Sequence, residues 1–319
     1  MPEASDNRAP LARTSVFSWS DAAQLMKLRL AASVVFSAVA GFLLGASVLP
    51  ENRWADQLLP LVVLVAGGML VVGSSNAFNQ IWEQKQDALM HRTQGRPLPS
   101  GRMSVRQAWA VALVSGALGL VGLFWLNPLT GAFGALSIAL YVLFYTPLKA
   151  QTPWAVLVGA FPGAIPSLLG WVAATGRFGI EPGVLFAVQF VWQFPHFWAI
   201  AWMAYDDYAR AGYFLLPNRV KDRSATYGSF VYATFMVGIS LLPASGLTGS
   251  LKLSWLGAVL VLGVGVWVIA AALRMHRQPS DAQARKLMLT TIGYLTLVQI
   301  IYVIDHTLLH GTVGFLFDR

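Results

Sequence analysis

Asn79, Glu83 and Asp87 recur at every fourth position of the run Asn76-Ala-Phe-Asn79-Gln-Ile-Trp-Glu83-Gln-Lys-Gln-Asp87. On a helix turning about 100° per residue, this spacing keeps the three within roughly an 80° arc of one face. Asn76 extends the stripe. Two carboxylates and two amides on one wall are hard oxygen ligands, which Mg²⁺ accepts while keeping waters or phosphate oxygens in its other positions. A solvated helix end carries such acids too, so spacing alone leaves both readings open. A second acidic pair, Asp206 and Asp207, lies in Tyr205-Asp-Asp-Tyr-Ala-Arg210-Ala-Gly212. Between the two groups runs a basic loop from His91 to Arg102, kept out of helix by Gly95, Pro97, Pro99 and Gly101. Its Arg92, Arg96 and Arg102 can clamp a diphosphate by bidentate hydrogen bonds and offset the charge growing on a leaving group. Lys149, Arg210, Lys221 and Arg223 reach the same surface, although an ordinary excess of basic residues on an inner membrane face accounts for any one of them taken alone.

His196, in Trp192-Gln-Phe-Pro-His-Phe-Trp198, is an ionisable residue inside an apolar run, some 15 Å deeper than the acids that follow it at 1.5 Å per residue. Such a residue is a candidate ligand contact, and equally a histidine hydrogen-bonded to a neighbouring helix. Tyr145, one turn before Lys149, can present its ring or hydroxyl to a cation or phosphate, or serve as an interfacial anchor. Cysteine is absent, which removes thiolate metal sites, disulfides and thiol nucleophiles from consideration.

The elements that must position these residues are membrane spans. Of the 319 residues, 56% are hydrophobic and 11% charged, against about a quarter charged in a soluble domain. The apolar residues arrive in blocks long enough to cross about 30 Å of hydrocarbon. The blocks lie near 26–47, 58–82, 104–126, 129–147, 154–175, 182–204, 226–245, 253–273 and 287–309, with Pro and Gly expected to kink the fourth, fifth and sixth. Asp21, with Gln24 three residues on, reads as a helix cap before the first. Of 22 Lys and Arg, only Arg53, Arg177, Lys252 and Arg319 fall opposite the amino terminus, which places that terminus in the cytoplasm and the carboxyl terminus across the membrane. This distribution also explains the +8 net charge without a nucleic-acid partner. Both acidic groups then emerge at cytoplasmic ends of spans, the second and the sixth, whereas the fourth and eighth end without acids. Residues 1–20 read as a cytoplasmic tail and 21–319 as one polytopic helical domain. The tail lacks the Arg- and Ser-rich, acid-poor character of a transit segment, so a bacterial plasma membrane is expected.

Asn79-x3-Glu83-x3-Asp87 followed by Arg92-Thr-x2-Arg96-Pro-Leu-Pro-x-Gly101 resembles the signature of the UbiA-type intramembrane prenyltransferases. Tyr145-Thr-Pro-Leu-Lys149, Gly163-Ala-Ile-Pro-x3-Gly170-Trp, Gln193-Phe-Pro-His-Phe197 and Asp206-Asp-Tyr-x2-Ala-Gly212 are similar, in order, to the haem-farnesylating branch of that family. The resemblance implies an all-α integral membrane protein with nine transmembrane helices around a central cavity and two Mg²⁺ bridging a prenyl diphosphate. It implies transfer of farnesyl from farnesyl diphosphate to a vinyl group of haem b, with addition of water. The product is haem O, used by a terminal oxidase or passed to a haem A-forming enzyme, the further partners it implies. Carried over by position, Asn79, Glu83 and Asp87 hold one Mg²⁺ and Asp207 with Asp206 the other; Arg92, Arg96, Lys149 and Lys221 meet the diphosphate; His196 contacts haem, with Tyr145 nearby. Glu83 stands where many relatives carry Asp, and Asp206 and Asp207 are adjacent where the wider family spaces its acids four apart. Three other readings use the same residues. A prenyltransferase for an aromatic quinone precursor would bind no haem, an anion transporter would form no product, and a haem chaperone would bind haem without changing its mass.

Overall fold

The computed structural model describes residues 17–49 and 54–310. Most of the expected tail, and the outer-face Arg53 and Arg319, therefore lie outside the described residues. In chain order the elements are α1 (Trp19–Leu25), α2 (Leu28–Ser47), α3 (Trp54–Trp82), α4 (Gln84–Leu89), α5 (Val105–Leu126), α6 (Pro128–Ala139), a π-helical turn (Leu140–Tyr145) and α7 (Thr146–Leu148). Then come α8 (Ala155–Thr175), α9 (Ile180–Met203), α10 (Tyr205–Arg210), α11 (Arg223–Ser240), a 3₁₀ turn (Leu242–Ser245), α12 (Trp255–Arg277) and α13 (Asp281–His310). Among the described residues nine helices are long and apolar enough to cross a membrane, at the places expected.

Helices adjacent in sequence pack as neighbours, and α13 returns to both α2 and α9, closing a ring. With lipid outside, burial of apolar surface gives little drive for helices to associate, so close backbone packing matters more. It is tightest between α2 and α8. A Cβ on Gly170 would lie 1.8 Å from the carbonyl oxygen of Ala38, and one on Gly41 would lie 2.1 Å from that of Ser167. Outward faces carry Leu58, Val121, Leu136 and Phe235 exposed, as suits helices bathed in acyl chains.

Three local features depart from a plain reading of the sequence. Helix α1 starts one turn earlier than expected: Ser18 is its N-cap, accepting from the Asp21 N–H at 3.4 Å, and Asp21 lies in the first turn. Lys27 then interrupts the helix in the left-handed region, at φ 50° and ψ 52°. Its neighbours fix the break to α3, because Gln80 Nε2 donates to the Leu25 carbonyl at 2.6 Å and Asn76 Nδ2 to the Met26 carbonyl at 3.3 Å. Finally, the fourth span changes its winding where it holds neither proline nor glycine. It widens into one π-helical turn, whose end is marked by the Thr146 N–H donating to the Tyr141 carbonyl five residues back.

Candidate active site

Helix α3 ends at Trp82 and α4 begins at Gln84, but the helical register passes through Glu83. The Glu83 N–H donates to the Asn79 carbonyl at 2.9 Å and the Asp87 N–H to the Glu83 carbonyl at 2.8 Å. Asn79, Glu83 and Asp87 therefore keep a common face, and all three are buried. A buried carboxylate without compensation costs several kcal/mol. Compensation comes from two cations: Arg96 Nη1 lies 2.6 Å from Asp87 Oδ2 and Lys149 Nζ 3.2 Å from Glu83 Oε2. Each acid thus uses one oxygen. Glu83 Oε1 and Asp87 Oδ1 stay buried with no hydrogen-bond partner among the described residues. Burial works against the Lys149 ammonium, but Glu83 and the surrounding tyrosines outweigh it and hold its pKa above the usual lysine range.

The second acidic group closes onto the same region. Asp207 accepts from the backbone N–H groups of His91 at 3.2 Å and Arg92 at 3.3 Å, and pairs with Arg210. Burial opposes the Asp207 charge, yet these donors hold it below the usual carboxylate range. Asp206 is exposed. Next to Asp207, the Tyr208 hydroxyl accepts from Arg92 Nη2 at 3.4 Å, and the Tyr208 ring lies 5.6 Å from Lys149 Nζ. The Tyr213 ring is closer still to that ammonium, at 4.7 Å. Lys149 and Arg92 therefore tie together two acidic groups that stand far apart in the chain.

Among the described residues no three Asp, Glu or His side chains cluster as a metal site. Two carboxylates and an amide nevertheless suit Mg²⁺, which takes few protein ligands and completes its shell with water and phosphate oxygens. The two orphaned buried oxygens meet that requirement at Glu83 and Asp87. Asp207 has both oxygens engaged.

The other expected residues divide. Arg102 turns away from both acidic groups and clasps α1, donating to Asp21 Oδ1 at 2.9 Å, Gln24 Oε1 at 2.7 Å and the Gly95 carbonyl at 3.0 Å. Lys221 pairs with Asp281 at 3.0 Å, beside the rings of Trp202 and Tyr205. Tyr145 sits in the π-helical turn with its ring 5.1 Å from that of Tyr141, against Gly159. His196 is buried deeper. Its ring stacks on Trp192 at 4.4 Å, and its Nδ1 is 2.9 Å from Thr291 Oγ1. The Thr291 hydroxyl also reaches the Met288 carbonyl, at 2.7 Å, so ring, hydroxyl and carbonyl form one buried polar cluster. Trp192 Nε1 reinforces the arrangement by donating to the Thr291 carbonyl at 2.6 Å.

One site residue was invisible as such in the sequence. Lys27 reads there as an ordinary inner-face lysine at the start of a span. Its left-handed break sets it within electrostatic reach of Arg96, Lys149, Glu83 and Asp87, and burial first, then the Arg96 and Lys149 charges, pull its pKa down to about 7. A lysine with positive φ is uncommon, so no sequence signal announces it.

The fold and site define a polytopic helical membrane protein with buried acids and clustered cations where several spans end. The chain belongs to the UbiA prenyltransferase family, whose pattern matches residues 34–297. It is 49% identical over 286 residues to the protoheme IX farnesyltransferase of Christiangramia forsetii, covering 90% of this chain and 93% of that one. Its fold is similar to the structure described for digeranylgeranylglyceryl phosphate synthase, with TM-score 0.71 at 17% identity, covering 90% of this chain and 98% of the other. It is also similar to that of a UbiA homologue from Archaeoglobus fulgidus bound to DMAPP and Mg²⁺, with TM-score 0.63 at 16% identity over 90% and 98% of the two chains.

Proposed function

We propose that this protein transfers the farnesyl group of farnesyl diphosphate to a vinyl group of haem b, with addition of water, to give haem O. Near-half identity to a protoheme IX farnesyltransferase over nine-tenths of both chains supports the substrates. The observation that carries the chemistry is the pair of buried carboxylates, each holding one internal cation and one unpartnered oxygen.

In the reaction, the bond between C1 of farnesyl and the diphosphate oxygen breaks, and its electron pair leaves with the diphosphate. The terminal vinyl carbon bonds to C1, and water captures the resulting cation beside the porphyrin and loses a proton. Arg92, Arg96, Lys149 and Lys27 face the departing anion, where fixed positive charge in a dry site is most effective. Arg210, now on Asp207, completes the cationic rim; Arg102 acts at one remove by holding the loop to α1, and Lys221 by holding α13. Mg²⁺ on Asn79, Glu83 and Asp87 would stabilise the diphosphate charge further. A second Mg²⁺, on Asp207 and Asp206, requires Asp207 to release its present partners. His196 contacts haem, and Tyr145 borders the allylic cation. The termini lie on opposite sides of a bacterial plasma membrane, the amino terminus and the acids in the cytoplasm.

The test is to incubate membranes holding the protein with haem b, farnesyl diphosphate and Mg²⁺, with and without chelator, and weigh the extracted haems by mass spectrometry. Haem gaining farnesyl plus water only without chelator is the expected result. Haem b returned unchanged while another acceptor is farnesylated overturns the haem assignment and leaves a quinone-precursor enzyme.

A further inference from the structure

The Asn79 carboxamide has two chemically different ends, and only its oxygen can bind a metal cation. Which end faces Glu83 and Asp87 is therefore decisive for the site proposed above. Asn79 Nδ2 donates to Thr146 Oγ1 at 3.2 Å, with both residues buried. Thr146 has a single hydroxyl proton, and it is committed elsewhere, to the Tyr141 carbonyl at 2.8 Å. The threonine oxygen can then only accept. A flipped Asn79 would set its own oxygen against that acceptor, two buried lone-pair groups facing each other, so the amide is locked with nitrogen toward Thr146.

This lock depends on the π-helical turn from Leu140 to Tyr145. Single π-helical turns are rare and occur often at functional sites. In an uninterrupted α-helix the Thr146 N–H would pair with the residue 142 carbonyl; here the Tyr141 carbonyl receives both the N–H and the hydroxyl of Thr146. The extra residue in the turn also rotates Thr146 about 100° relative to an α-helical path, toward α3.

We propose that Thr146 is a positioning residue that orients the Asn79 carboxamide so that Oδ1 joins Glu83 and Asp87 in holding a divalent cation. The inference rests on the reading of those acids as the metal site. Removing such a supporting partner of a metal ligand weakens affinity about 10- to 100-fold.

The experiment measures Mn²⁺ affinity of the purified full-length protein with inorganic diphosphate present, from the loss of the free-ion electron paramagnetic resonance signal. Thr146→Val, which keeps shape and loses the acceptor, should weaken Mn²⁺ about tenfold or more, and Thr146→Ser should restore binding to within about twofold. In an Asn79→Ala background, Thr146→Val should add nothing, because there is no amide left to orient. A merely structural loss would add to Asn79→Ala, and that result overturns the proposal, as does wild-type affinity in a folded Thr146→Val protein. Glu83→Gln separates the two levels of argument. If it leaves Mn²⁺ binding unchanged, the metal reading itself fails and the Thr146 proposal falls with it. If it weakens binding while Thr146→Val does not, only the proposal fails.

Discussion

At the scale of single residues, the site is a balance of buried charge. Glu83 and Asp87 each spend one oxygen on an internal cation and hold the other in reserve. Removing either negative charge while keeping the shape, by Glu83→Gln or Asp87→Asn, should lower kcat/KM for farnesyl diphosphate on the order of 100-fold or more, the usual cost of losing one preorganised electrostatic group. Steady-state turnover at saturating haem b checks this. Lys27 gives a pH signature. Its ammonium is disfavoured by burial and by like charges, so its pKa sits at about 7 and the group loses its proton as pH rises through that value. A diphosphate needs the charged form, so affinity should be highest below about pH 7 and fall above it. Lys27→Met should flatten that leg of the profile, measured as Kd of farnesyl diphosphate across pH. The acids were legible in the sequence because i, i+4, i+8 spacing survives any helix that keeps its register. Lys27 and Thr146 were not. One depends on a left-handed backbone residue and the other on an extra residue in a helical turn, and neither leaves a compositional trace.

At the scale of elements, the spans were readable from length and apolarity alone, since about 20 apolar residues have few other uses. Their interruptions were harder to place. Pro162, Pro166 and Pro195 lie inside helices that continue past them, whereas the fourth span changes its winding at a stretch free of proline and glycine. Two basic residues have partners that the sequence does not announce. Arg102 and Lys221 have the type and position of diphosphate ligands, and in this structure they pair with Asp21 and Asp281, distant in sequence. The α2–α8 contact offers a sharp test of packing. Gly170→Val would drive side-chain carbons into the Ala38 carbonyl and should cost about 3 kcal/mol, read as a lowered Tm in detergent. Gly263→Val, in α12 with no atom within 4 Å of the added Cβ, should leave Tm nearly unchanged.

At the scale of the whole molecule, orientation in the membrane decides which compartment supplies the anionic substrate. Because the chain has no cysteine, one can be introduced at a time without a background. In intact cells, a membrane-impermeant maleimide should label Leu247→Cys, in the exposed turn after α11, and spare Ala282→Cys at the start of α13 until the membrane is opened. The reverse pattern would put the acids on the outer face. The ring closed by α13 also carries a consequence for how the protein is made. The acids, the basic loop and Lys149 are all translated well before Thr291, the residue that orients the His196 ring from 95 positions away. A nascent chain therefore holds its acids and its basic loop before the partner of its histidine has been made. The two ends of the proposed chemistry become complete at different lengths of chain, and the second waits for α13.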